Sequence, residues 1–194
     1  MDKSGLIGIS ISRSWISRAI QWFRDGIVFD DEDNIATHCF VTFGKIVDEI
    51  IVGESTNPKI RLAPLNKFYC KKGKRVELYR IPDLSPTLKV KAIKNLMPLT
   101  GKTYGYGQIL GFIWVWFCFK LGFKADNPNS NEGIIVCSKY CFRYLKNIFY
   151  QDTELMNMKA RNVAPDNLHK SLKQHAKLVG VSDFNQVDII WLEK

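Results

Sequence analysis

Alternation of hydrophobic and polar positions predicts strands along much of the chain. The clearest alternation runs from Gly5 to Ser12, where small or polar residues separate the isoleucines, as in a half-buried strand. β-Branched and aromatic residues enrich Ile35 to Phe43, which predicts a second strand. Gly44 and Lys45 then predict a tight turn, after which Ile46 to Glu54 would return antiparallel. Further strands are predicted at Val76 to Ile81 and at Val187 to Leu192.

Apolar residues at helical spacing predict helices between these strands. The pattern holds from Trp15 to Phe23 and ends before Gly26. Ser85 followed by Pro86 has the chemistry of a helix start. The buried stripe of that helix would be formed by Leu88, Val90, Ile93, Leu96 and Met97.

The C-terminal third contains two further helix starts. One is predicted at Cys137, so that Cys137, Tyr140, Cys141 and Tyr144 share a face. Pro165 begins a short helix or a turn. The order of elements predicts one domain over residues 1–194, of the α+β class, with a largely antiparallel sheet flanked by helices.

The strongly apolar stretch from Ile109 to Phe123 raises the question of a membrane span. It contains about fifteen residues, including Lys120, whereas a bilayer crossing needs roughly 20. We therefore favour a buried or interfacial helix, with membrane contact as the alternative.

Composition limits the candidate binding partners and the cellular compartment. The net charge of +9 favours a polyanion, which could be nucleic acid, an anionic membrane surface or an acidic cell-wall polymer. Five cysteines without CxxC spacing argue against a disulfide framework and favour a reducing compartment. The N-terminal segment, Met1 to Trp15, lacks the continuous apolar core of a signal peptide. We expect cytoplasmic synthesis, and a phage-associated or peripheral membrane protein remains compatible with it.

Cys137 and His38 are the candidate nucleophile and base. A thiol reacts as the thiolate, which the backbone N–H groups at a helix start and a nearby imidazolium both stabilise. Cys137 meets the first condition by its position, and His38 could meet the second. The same N–H groups would stabilise an oxyanion during acyl transfer.

A third group should orient the imidazole, and the returning strand offers Glu54, Asp48 and Glu49. Side-chain parity does not choose among them without the register of the hairpin. Two other interpretations compete with catalysis. Cys137 could be a buried structural cysteine, and His38, Cys137 and Cys141 could hold zinc, although their spacing matches no common ligand pattern. His169 and His175 are expected at the surface, and Cys39 on the opposite side of its strand from His38.

Several segments together resemble a known family. Ser14 to Trp22 and Ala36 to Val41 resemble its first helix and the strand that carries the catalytic histidine. Ile50 to Ser55 is similar to the returning strand whose polar residue orients that histidine, and it points to Glu54. Three later segments complete the resemblance: Leu99 to Tyr106, Gly133 to Lys139 and Ala164 to Leu168. The family is the permuted papain-like amidases, the YiiX-like relatives of the bacterial NlpC-type cell-wall peptidases and of lecithin retinol acyltransferase.

The resemblance implies a permuted papain-like (NlpC-type) fold and a cysteine-dependent amidase or peptidase. Cys137, His38 and Glu54 would form the triad, with Tyr104 and Ser138 in the substrate and oxyanion region. Peptide, peptidoglycan or acyl-lipid bonds would be the substrates, without metal or organic cofactor, and nucleic acid is disfavoured. A membrane-associated acyltransferase and a non-catalytic binding module of the same fold are the alternatives. The sequence departs from the family at Gly105 and Lys139, where an aspartate and a glutamate are common.

Overall fold

The computed structural model describes most of the chain. The described residues are 2–12, 36–105, 111, 114–115, 117–126, 128, 135–186 and 188–192, with the backbone alone for residue 161. The helix predicted at Trp15 to Phe23 lies outside these residues.

An antiparallel sheet forms the centre of the described part of the protein. Its seven strands lie side by side in the order β4-β3-β2-β1-β5-β6-β7, and all neighbouring pairs are antiparallel. The α+β class with a largely antiparallel sheet is therefore confirmed. The strands are β1 (Ile7–Ser12), β2 (Ala36–Ile46), β3 (Glu49–Ser55), β4 (Ile60–Pro64), β5 (Lys74–Arg80), β6 (Lys177–Ser182) and β7 (Ile190–Trp191).

Four of the five described α-helices begin where the sequence offers a cap or a proline, and the helix that begins at Cys137 has neither. Ser85 accepts a hydrogen bond from the Leu88 amide at 3.2 Å and begins the second of them. Pro165 stands at the start of the last helix, which is eleven residues long. The α-helices are α1 (Leu65–Phe68), α2 (Pro86–Leu96), α3 (Cys137–Asn147), α4 (Thr153–Asn157) and α5 (Pro165–His175).

The two faces of the sheet cover separate hydrophobic cores. Ile7, Ile9 and Ile11 of β1 point to one face, where they pack with residues of α3 and α5. Leu6 and Phe40 belong to the second core, on the other face, which includes Leu65 of α1. Period-two alternation therefore divides the central strands between two cores.

The β2–β3 hairpin differs from the prediction at its turn. Strand β2 continues through Gly44, which has φ 126° and lies at a register shift, and the chain reverses at Val47 and Asp48 instead. A glycine accommodates a β-bulge as readily as a turn, so its presence did not mark the end of the strand.

Helix α2 buries fewer residues than its spacing predicted. Ala92 and Leu96 are buried, whereas Val90 and Met97 are about half exposed. The helix contacts α3 along one narrow side, which leaves part of the predicted stripe facing solvent. In the part of the chain that the structure describes, no helix is long and apolar enough to cross a membrane.

Candidate active site

His38 lies in the middle of the site, on strand β2. Its Nε2 atom is 3.0 Å from Oε2 of Glu54, and its ring stacks on Tyr69 at a centroid distance of 5.7 Å. The side chain of His38 retains 20% of its exposure, whereas that of Glu54 retains only 3%. The imidazole is therefore held on one side by a buried carboxylate and over its face by a tyrosine ring.

Glu54 is near the end of β3 and receives two further hydrogen bonds. Arg61, its partner in the β3–β4 ladder, donates from Nε at 2.8 Å, and the Tyr69 hydroxyl also donates to the carboxylate. Burial opposes the charged form, but the hydrogen bonds from His38, Tyr69 and Arg61 outweigh it and lower the pKa of Glu54 to about 2. Glu54 is thus a fixed negative charge beside the imidazole.

The two other candidate carboxylates lie at the far end of the hairpin. Asp48 is in the turn and pairs with Lys45 at 3.1 Å, and Glu49 lies opposite Ile46. Ile46 is eight residues from His38 along the strand, which corresponds to about 26 Å at roughly 3.3 Å per residue. The register therefore brings Glu54 to His38 and keeps Asp48 and Glu49 away from it.

Cys137 is the first residue of α3 and is 6% exposed. Its thiol interacts electrostatically with His38 and also with Cys39. The segment that leads into the helix is anchored to β3, because the Ser55 hydroxyl donates to the Ile135 carbonyl at 2.6 Å. The start of α3 is therefore placed between the strand of His38 and the strand of Glu54.

The end of the β2–β3 ladder leaves room for this arrangement. Its pairs run from Ile46–Glu49 to Val41–Gly53 and do not continue to His38. Cys39 packs in the core that includes residues of α3. Tyr69, whose ring stacks on His38, belongs to the other core. Cys137 nevertheless interacts with both Cys39 and His38.

Neighbouring charges strongly affect the ionisation of His38 and Cys137. Burial disfavours the imidazolium, but the negative charges of Cys137 and Glu54 prevail and raise the pKa of His38 to about 9. The contact with Cys39 and burial raise the pKa of the Cys137 thiol, and the neighbouring His38 opposes that increase. The histidine is therefore the group that favours ionisation of Cys137.

Tyr104 and Ser138 are both near Cys137, the first through backbone pairing and the second as the next residue in the chain. Tyr104 forms a parallel bridge with Ile135, two residues before Cys137, and its amide donates to the Pro58 carbonyl at 2.9 Å. Ser138 is 1% exposed, and its hydroxyl has no hydrogen-bond partner in the described part of the chain. Their roles in substrate or oxyanion binding stay predictions. Lys139, where the sequence departs from the family pattern, is 5% exposed.

Two residues that hold Glu54 were not found from the sequence. Arg61 and Tyr69 belong to β4 and to the turn after α1, and neither element was predicted. The signal that could have found Arg61 is its position after Asn57 and Pro58, the turn-forming residues that follow β3. A β3–β4 hairpin there would have placed an arginine opposite Glu54, as the structure does.

The prediction that His169 lies at the surface is wrong. Its side chain is 3% exposed, and Nε2 is 2.8 Å from Oε2 of Glu77. Tyr79 and Arg75, neighbours of Glu77 on β5, donate to the same carboxylate at 2.5 Å and 2.7 Å. The lysines around His169 suggested exposure, but Leu168 and Leu172 turn this side of α5 towards the core. His175 is 44% exposed, as expected.

The described residues contain no group of three or more His, Cys, Asp or Glu side chains that could hold a metal ion. The zinc arrangement of His38, Cys137 and Cys141 is accordingly absent from this part of the chain.

The fold and the site geometry can be compared with known proteins. No family model matches the sequence, and no curated protein matches it. Among solved structures, the chain is similar to the metalloprotein yiiX from Escherichia coli O157:H7, with a TM-score of 0.52 and 17% sequence identity. The alignment covers 77% of this chain and 67% of that chain. The protein is therefore an α+β protein with a YiiX-like fold.

Proposed function

We propose that the protein is a cysteine-dependent hydrolase that cleaves an amide or ester bond. The observation that carries the proposal is the contact sequence Cys137–His38–Glu54, with the thiol at the first residue of an eleven-residue helix. A nucleophile, a base and a group that orients the base are the three parts that thiol catalysis needs. The helix start adds backbone N–H groups that can stabilise negative charge.

In the proposed reaction, His38 takes the proton of the Cys137 thiol. Nε2 faces Glu54, so Nδ1 is the ring nitrogen assigned to this proton transfer. The thiolate attacks the carbonyl carbon, and the N–H groups at the start of α3 stabilise the oxyanion. The imidazolium then protonates the leaving amine or alcohol as the C–N or C–O bond breaks. Water, deprotonated by His38, hydrolyses the resulting thioester and restores the thiol.

Glu54 orients the imidazole and stabilises its protonated form. Arg61 and Tyr69 act through Glu54, because each donates to the carboxylate. They are positioning residues in this proposal. The geometry supports the assignment, since a buried carboxylate with three partners has little freedom to rotate away from His38.

The permuted papain-like (NlpC-type) assignment belongs to the same proposal. It is supported by the order of His38 before Cys137 in the chain, by the strand that carries the histidine and by the helix that begins at the cysteine. The YiiX-like fold agrees with it at the level of the fold. The relative yiiX is described as a metalloprotein, whereas the steps proposed here use only side chains and backbone of this chain.

The proposed substrates are peptide or peptidoglycan amides and acyl-lipid esters. The net charge of +9 suits an anionic polymer or lipid. The same thioester would transfer its acyl group if an acceptor other than water entered the site, so an acyltransferase is the second outcome of the substrate test. A binding module of the same fold would show neither reaction.

The first experiment measures the reactivity of Cys137 with iodoacetamide between pH 6 and pH 10, with mass spectrometry to identify the labelled residue. We expect Cys137 to be labelled faster than the other cysteines in the wild type, and more slowly in His38→Ala. Cys141→Ala, one turn later in the same helix, is the matched control and should leave the labelling of Cys137 unchanged.

The second experiment tests hydrolysis of a panel of peptide, peptidoglycan and acyl-ester substrates. Turnover by the wild type and by Cys141→Ala, together with its loss in Cys137→Ala, is the expected result. Turnover that persists in Cys137→Ala would contradict the proposal. Slow labelling of Cys137 that does not respond to His38→Ala would contradict it as well.

A further inference from the structure

Among the described residues between 114 and 123, five large apolar side chains are exposed. They are Trp114 (51%), Phe117 (49%), Phe119 (73%), Leu121 (56%) and Phe123 (66%). We call these five residues the aromatic tip. Single exposed apolar residues are ordinary, whereas a contiguous group of this kind marks an interaction site.

The backbone of the aromatic tip is well defined by hydrogen bonds. Residues 117–120 are helical, and Gly122 follows with φ 81°. The Phe123 amide donates to the Cys118 carbonyl at 2.9 Å, and the Gly122 amide donates to the Phe119 carbonyl at 3.0 Å. This pair of bonds is the Schellman motif, which ends a helix with a glycine in the left-handed region. The exposed side chains therefore project from a formed helix end.

The segment is also attached to the rest of the protein. Cys118 is 8% exposed, so one side of the helix is covered while Phe117 and Phe119 stay exposed. Asp126, three residues after the tip, accepts from Lys159 at 2.6 Å and from Asn162 at 3.2 Å. The tip is thus presented from the folded domain by bonds at its C-terminal side.

Positive charge predominates in the sequence that precedes and contains the tip. The sequence from residue 84 to residue 125 contains no aspartate or glutamate. It contains six lysines, namely Lys89, Lys91, Lys94, Lys102, Lys120 and Lys124. Lys120 and Lys124 are exposed beside the aromatic side chains. The nearby carboxylate of Asp126 is paired with Lys159. An apolar group bordered by exposed lysines is complementary to a surface that is apolar inside and negatively charged outside.

We propose that the aromatic tip docks on the surface of an anionic phospholipid bilayer. The aromatic rings would enter the interfacial region, where Trp and Phe side chains bind well, and the lysines would contact the lipid phosphates. Each lysine near such a surface contributes about a fivefold gain in affinity at moderate salt. The proposal concerns peripheral binding and does not depend on catalysis by Cys137.

The test is sedimentation of the full chain with two kinds of vesicle. One contains phosphatidylcholine alone, and the other also contains about one-third phosphatidylglycerol, which gives it a negative surface. We expect binding to the anionic vesicles that weakens as salt is raised. Phe119→Ser with Phe123→Ser should reduce the bound fraction at least about tenfold, because both rings are exposed and their loss removes apolar contact. Lys124→Glu should reduce binding about fivefold or more.

Matched controls separate the tip from a general effect of charge and hydrophobicity. Phe149→Ser removes another exposed aromatic ring, and Lys173→Glu makes the same charge change on α5. Both should bind as the wild type does, and Cys137→Ala should also bind fully. Equal loss in the controls and in the tip variants would overturn the proposal, and so would an absence of binding to the anionic vesicles at low salt.

Light scattering tests the other occupant of an apolar surface, a second copy of the chain. A monomeric mass for the wild type and for Phe119→Ser/Phe123→Ser is expected. A dimer that the double substitution converts to a monomer, without vesicle binding in either form, would show self-association and overturn the membrane proposal.

Discussion

The protein contains two carboxylates with nearly the same set of partners. Glu54 holds His38, Arg61 and Tyr69, and Glu77 holds His169, Arg75 and Tyr79. The pKa of each carboxyl is lowered to about 2, with burial opposing the charged form and the histidine as the first of the favourable partners. Composition alone does not distinguish the two groups.

Their surroundings do distinguish them. His38 is one-fifth exposed, lies beyond the last pair of the β2–β3 ladder, and interacts with Cys137 at the start of α3. His169 is almost fully buried between α5 and β5, where its partners belong to the Glu77 group. A histidine–glutamate pair becomes a candidate for catalysis when it adjoins a nucleophile and remains accessible. The same pair enclosed between a helix and a sheet connects those elements.

The largest expected effect comes from exchanging each histidine for glutamine. In His38→Gln, the rate of Cys137 labelling and any turnover should fall about 10²–10⁴-fold, because proton transfer from the thiol is lost. His169→Gln is the matched variant and should keep the labelling rate while lowering the free energy of unfolding. Labelling kinetics and denaturant titration measure the two quantities, and equal labelling in His38→Gln would exclude His38 as the base.

The next effect concerns the Glu77 group and its dependence on pH. The folded pKa of Glu77 is about 2, below its ordinary value of 4.5, so its charge stabilises the folded state above pH 4.5. Glu77→Gln should therefore lower the free energy of unfolding at pH 7 by roughly 3 kcal/mol, the equivalent of this shift. The difference from the wild type should shrink as the pH falls towards 2.

Denaturant titrations between pH 2 and pH 7 measure that difference. Glu49→Gln, at the exposed end of the hairpin, is the control and should leave the curve unchanged. A gap between wild type and Glu77→Gln that stays constant down to pH 2 would contradict the linkage.

A smaller effect should follow from Glu54→Gln. The imidazolium of His38 protonates the leaving group, and its pKa of about 9 places the alkaline limit of turnover near that pH. Removing the negative charge of Glu54 lowers the pKa of His38, so the alkaline limit should move down by about one pH unit. The pH profile of kcat/KM, which reports the ionisation of the free enzyme, measures it, and an unchanged limit would separate Glu54 from the ionisation of His38.

The smallest effects are expected from the two tyrosine hydroxyls. Tyr69→Phe removes one donor to Glu54 and should reduce kcat/KM about fivefold, in proportion to a net hydrogen bond of about 1 kcal/mol. Tyr79→Phe removes the equivalent donor to Glu77 and should lower stability by about 1 kcal/mol without changing kcat/KM. The opposite pattern, with Tyr79→Phe affecting turnover, would show that the two groups are not independent.

Local patterns predicted much of the fold. The alternation around Ile7, Ile9 and Ile11 identified β1, and the Ser85–Pro86 pair identified the start of α2, because each signal is contained within a few residues. The helix start at Cys137 was also predicted. Gly44 was misread as a turn because a bulge and a turn need the same backbone freedom.

The site was predicted only in part, for a related reason. Position made Cys137 and His38 candidates, and the family resemblance selected them together with Glu54. From the residues alone Glu54 was one of three candidates, and the strand register places it beside His38. Arg61 and Tyr69 escaped detection because β4 and α1 are short and carry weak periodicity. His169 was misplaced because the residues around it in the chain are charged, while its contacts lie on β5.

The sequence by itself determined the α+β class and most strand and helix positions, since these depend on short-range patterns. It also offered Cys137 and His38 as candidates through the chemistry of their side chains and the family resemblance. Tertiary structure decided which carboxylate meets which histidine. Glu54 and His38 are 16 residues apart, and Glu77 and His169 are 92 apart. Contacts over such separations depend on strand register and helix packing, which bring together side chains whose pairing no local pattern records.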